Sequence, residues 1–68
     1  MSTYHLQVMA PTEINQWASA FPVFITSADE WHEVESFSDF HICLREEQHL
    51  ARRWGCKTRV VIDRRVQK

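Results

Sequence analysis

Two histidines and two cysteines lie close together near the middle of the chain: His41, Cys43, His49 and Cys56. Imidazole nitrogen and thiolate sulfur are the ligands that zinc takes in tetrahedral sites. His41 and Cys43 are two apart, so on a strand they would share a face. Their spacing to His49 and Cys56 fits no known zinc pattern, and His49, next to Leu50, should face water. The expectation is no metal, with Cys43 a packed free thiol and the histidines exposed. The same residues could also pair as thiolate and base, Cys43 with His41 or Cys56 with His49. A reactive thiolate needs a helix N-terminus or nearby cations. Cys56 should follow a helix C-terminus, the wrong pole, whereas Cys43 lies near a helix start. A chain of 68 residues has little bulk to wall a substrate pocket of the usual ~300 Å³ or more. The expectation is therefore a protein that is not an enzyme and holds no cofactor.

Charge is the stronger signal. The formal net charge of −1 hides a split. The first 44 residues hold no Lys or Arg and six acids: Glu13, Asp29, Glu30, Glu33, Glu35 and Asp39. All eight basic residues follow, with Glu46, Glu47 and Asp63 the only acids among them. Six of those eight are arginine, which suits bidentate contact to carboxylate or phosphate. Asp29, Glu30, Glu33, Glu35 and Asp39 could form an acidic docking strip, or simply a solvated face near a positive helix N-terminus. Arg52, Arg53 and Arg59, with Arg45, Lys57, Arg64 and Arg65, could neutralise phosphates. Nucleic-acid modules usually add exposed aromatics or a recognition helix. Here Trp54 and Phe40 should belong to the core, and the arginines could equally pair with the acidic half. Trp17, Trp31 and Trp54 all sit at apolar helix positions and read as core; an exposed one would mark an interface.

The elements that would position these residues centre on Phe40–Asp63, read as strand, helix, cap and strand. Phe40, Ile42 and Leu44 alternate with His41, Cys43 and Arg45, a period of two. From Glu46 the period changes: Glu47, Leu50, Ala51 and Trp54 share one side of a helix. Gly55, the only glycine, suits a left-handed cap. Thr58–Asp63 is β-branched and apolar, as in a central strand covered on both faces. The unit could form a right-handed parallel crossover, with an antiparallel return as the alternative.

Upstream, Tyr4–Ala10 alternates as a strand and ends at Pro11. Thr12 could cap a helix carrying Ile14, Trp17, Ala18 and Phe21 up to Pro22, although Glu13–Phe21 is the helix most easily replaced by a turn. Val23–Thr26 reads as a short strand. Ser27–Glu30 has the capping-box pattern and predicts a helix from Ala28 to about Glu35. Ser36–Asp39 reads as a turn with Phe37 inward. Arg64–Lys68 reads as a basic, frayed tail.

Together these describe one α+β domain over residues 1–68, a three- or four-stranded sheet with two or three short helices packed on it. No apolar run approaches the ~20 residues of a membrane helix. Nor does MSTYHLQVM read as a signal peptide. Two cysteines outside any Cys-x-x-Cys pair make the cytoplasm the expected location. In size and plan the chain resembles small accessory proteins of phages and mobile elements, which act by binding. The expected function is a small interaction domain that binds and regulates or inhibits a larger protein. It would dock through Asp29, Glu30, Glu33, Glu35 and Asp39 or through Arg52, Arg53 and Arg59. Nucleic acid is the second expected partner, and self-association of acidic face with basic face the third.

Overall fold

The computed structural model describes residues 2–64. Its element order is β1 (Ser2–Met9), α1 (Ile14–Trp17), β2 (His32–Phe37), α2 (Phe40–Trp54) and β3 (Lys57–Arg64). The domain is α+β: one three-stranded antiparallel sheet, one long helix and one short one. The strand order is β2-β1-β3, and both outer strands run antiparallel to β1. β2 and β3 therefore point the same way with β1 between them, and α2 makes the crossover that joins them.

β1 forms where period-two alternation predicts it. Leu6, Val8 and, just beyond the strand, Ala10 are buried. They face α2, while Thr3, His5, Gln7 and Met9 face the other way. β3 pairs with β1 along its whole length, from Ser2 opposite Arg64 to Met9 opposite Lys57. It is an edge strand, not the doubly covered central strand that Val60-Val61-Ile62 suggested. Its position at the edge leaves Ile62 46% exposed. Of the predicted basic tail, Arg64 ends β3 and residues 65–68 lie outside the described residues.

The predicted strand Phe40–Arg45 is instead the start of α2. Asp39 decides this. Its carboxylate accepts from the backbone N–H groups of His41, at 2.8 Å, and Ile42, at 3.3 Å, an N-cap that starts a helix. The inward stripe is then Cys43, Glu47, Leu50 and Trp54, with Cys43 fully buried and Leu50 nearly so. The alternating Phe40 and Ile42 are substantially exposed. Arg52 and Arg53 occupy the last turn, the pole that favours cations. Gly55 closes the helix as predicted, with φ +67° and its N–H on Ala51 O at 2.8 Å.

The predicted helix Ala28–Glu35 is also overturned. Residues 28–30 turn, and β2 follows. A β-bulge explains the misleading pattern. Glu35 pairs with Leu6, but Glu33 pairs with Gln7, so one residue of β2 is extra. The bulge spaces the inward-packing Val34 and Phe37 three apart, a helical interval on a strand. Ser27–Glu30 forms no capping box. His32 holds the turn: its Nε2 accepts from Thr26 N at 3.1 Å, leaving Nδ1 to donate to Glu30 O at 3.0 Å.

Val23–Thr26 is irregular, not a strand. The helix predicted for Glu13–Phe21 is the single turn α1, Ile14–Trp17, with Ala18 as its C-cap. Thr12 does not cap it; its hydroxyl lies 3.4 Å from the neighbouring Glu13 carboxylate. Ile14, Ala18 and Ile25 nevertheless reach the core beside Leu6, Val8, Ala10, Cys43 and Leu50. No helix among the described residues is long and apolar enough to cross a membrane.

Candidate interaction surface

The segment between β1 and β2 has little regular structure, so something else must fix it. Asn15 does so. Its Nδ2 donates to Ile25 O at 2.7 Å and its Oδ1 accepts from Ile25 N at 3.1 Å. The carboxamide thus satisfies both backbone groups of Ile25, as a neighbouring strand would. The buried side chains of Ile14 and Ile25 anchor the two ends of this clasp.

Just inside the two ends of the clasp in sequence, two large aromatic residues face solvent: Trp17 is 62% exposed and Phe24 71% exposed. Trp17 borders a shallow depression with Met9, Pro11, Asp29, Trp54 and Lys57. Phe24 lines a second, smaller depression with Asn15, Ser19, Pro22 and Val23. The expectation that Trp17 belongs to the core is wrong because α1 is one turn long and turns only Ile14 inward. The other tryptophans are half-buried. Trp54 meets Phe21 edge-on, with ring centroids 5.4 Å apart. Trp31 lies outside any helix and takes the Arg59 guanidinium 4.3 Å from its ring centroid.

The predicted acidic residues do not form one strip. Asp29 and Glu30 are exposed in the turn before β2. Glu33 lies on the open sheet face, and Glu35 sits at the bulge, lining a groove between β2 and α2 with Glu46, His49 and Arg53. Asp39 caps α2. The predicted arginines are divided as well. Arg52 and Arg53 are exposed on α2, with Arg53 5.2 Å from the Trp54 ring centroid. Arg59 is on the open face and donates through Nε to Gln7 Oε1 at 2.7 Å. Of the charges segregated in sequence, Glu33 of β2 and Lys57 and Arg59 of β3 do share the open sheet face.

That face carries a cluster the sequence did not signal. His5 Nδ1 lies 2.8 Å from Glu33 Oε1 and 3.2 Å from Ser36 Oγ, while Nε2 is 3.8 Å from Asp63 Oδ2. Ser36 Oγ donates to Glu33 Oε2 at 3.3 Å. The imidazole ties all three strands together, and a protonated ring would face a carboxylate on each side. His5, Ser36 and Asp63 come from separate strands, so only the register unites them.

His41 and Cys43 do not share a face, because they lie on a helix. Cys43 is buried beneath α2 and His41 is exposed. Among the described residues, no group of three or more His, Cys, Asp and Glu side chains is placed to hold a metal ion. Burial pushes the Cys43 thiol up, and the Glu47 carboxylate adds to the effect. Burial also raises Cys56. Both thiols therefore stay protonated at neutral pH.

Comparison with known proteins finds no matching family model, no matching curated protein and no matching solved structure.

Proposed function

We propose that the protein is a small interaction domain that binds a larger protein and thereby regulates or inhibits it. The carrying observation is the exposure of Trp17 and Phe24 on a segment clasped by Asn15. An exposed tryptophan on a fixed backbone offers large apolar area at little ordering cost, the character of an interface anchor. Asp29 and Glu30 lie exposed in the same connection between β1 and β2 and supply a polar rim. This reading moves the docking surface from the predicted charge strips to the aromatic residues, with those two acids kept beside them. Binding without catalysis is also what the resemblance in size and plan to phage and mobile-element accessory proteins implies.

The test is affinity capture on nuclease-treated and untreated lysate, with wild type and Trp17→Ala side by side. A protein that survives nuclease and is lost with Trp17→Ala supports the reading. Captured material that vanishes with nuclease and ignores Trp17→Ala contradicts it and favours nucleic acid.

A further inference from the structure

We propose that the outer edge of β3 pairs with the same edge of a second copy, antiparallel and centred on Val60, to give a continuous six-stranded sheet. Among the described residues, no backbone hydrogen bond of β3 goes to any element but β1. An uncovered edge of eight regular residues is a template for another strand.

The side chains favour this partner. Centring on Val60 places Thr58 opposite Ile62 of the second copy and Lys57 opposite its Asp63. The face towards α2 then continues as a β-branched ladder of Thr58, Val60 and Ile62 from both copies, and the half-exposed Ile62 gains a lateral neighbour. On the other face Lys57 of each copy comes to stand opposite Asp63 of the other, beside the contact Asp63 keeps with His5 of its own chain. Arg59 stands opposite Val61 in this register. Its guanidinium turns inward over Trp31 and Gln7, so it does not crowd the edge.

The β2 edge is protected by contrast. It carries the bulge, and its Glu33 and Glu35 would face like charges in a symmetric pairing. Pairing β2 with β3 of another copy would not close and would build an open-ended chain, whereas β3 with β3 closes as a two-fold dimer.

Sedimentation equilibrium over a wide concentration range tests this directly. Wild type should approach twice the chain mass. Lys57→Glu, at an exposed position, should weaken the dimer by on the order of tenfold, as expected for two cross-strand pairs turned repulsive. Lys57→Gln, which removes the charge without reversing it, should weaken the dimer less, with circular dichroism verifying the fold of each variant. A wild-type monomer at every concentration would overturn the proposal. So would a dimer indifferent to Lys57→Glu, or one that Lys57→Gln weakens as much as Lys57→Glu does.

Discussion

Asn15 and Ile25 are joined by two hydrogen bonds, side-chain amide to backbone carbonyl and backbone amide to side-chain carbonyl. That pair replaces the strand the sequence suggested for Val23–Thr26. It also fixes the backbone from which Trp17 and Phe24 project. Asn15→Ala would leave both part-buried groups of Ile25 without their partner. The expected loss is about 2 kcal/mol, at the scale of unsatisfied buried groups. Urea denaturation measures it. A variant as stable as wild type would mean that the clasp does not hold the segment.

Asp39, which the sequence offers as a docking acid, caps α2 in the structure. Asp39→Ala should cost about 1 kcal/mol, while Asp39→Ser or Asp39→Asn should recover most of it, because either can still accept from the exposed N–H groups. Partner binding should not follow the negative charge. If Asp39→Asn keeps stability but loses binding, the carboxylate docks after all. At the other end, Gly55→Ala should cost roughly 1 kcal/mol, since a Cβ is strained at φ +67°.

Arg59 over Trp31 links β3 to the start of β2 across the open face. A double-mutant cycle of Arg59→Ala and Trp31→Ala should give a coupling of about 0.5–1 kcal/mol, the range for cation–π pairs near the surface. Arg59→Lys should retain only part of it, having lost the planar donor that also reaches Gln7. A coupling indistinguishable from zero would show that the stacking does not hold in solution.

The two thiols make stability depend on alkaline pH. Cys43 and Cys56 are both raised above the ordinary thiol value of 9.0, so the fold favours the protonated form. That contribution is fully present below the unfolded thiol's pKa and is lost as pH rises through the higher folded value. Denaturation midpoints should therefore fall as the solution becomes alkaline beyond about pH 9. Cys43→Ala should flatten the fall while lowering stability at neutral pH through the cavity it leaves. An unchanged alkaline slope in that variant would assign the loss to other groups. Thiol labelling of the native protein should reach half-buried Cys56 well before fully buried Cys43.

Local signals carried the elements that obey them. β1 and β3 follow β-branched or alternating runs, and Gly55 marks the helix end. The misreadings share a cause, which is that spacing alone does not say which pattern wins. Phe40, Ile42 and Leu44 alternate as a strand would, yet the Asp39 cap and the longer stripe from Cys43 to Trp54 make the segment helical. Val34 and Phe37 are three apart because of the bulge opposite Leu6, not because of a helix. The site was less legible. The exposure of Trp17 depends on α1 stopping after one turn, and the meeting of His5, Glu33, Ser36 and Asp63 depends on strand register. The charge split was plain in the sequence, but the strand order β2-β1-β3 puts Glu33 on the same sheet face as Lys57 and Arg59.

The central claim is that Trp17 and Phe24 anchor a protein partner. The measurement is a calorimetric titration of the captured and purified partner with wild type, Trp17→Ala, Phe24→Ala and the reversal Glu30→Lys. Truncating Trp17 should weaken binding by about 2 kcal/mol, roughly thirtyfold, as for an interface anchor, with a smaller loss for Phe24. Glu30→Lys should change affinity only modestly and in a salt-dependent way. If both aromatic truncations bind as wild type does while the charge reversal abolishes binding, the account is wrong and the acidic residues are the docking surface.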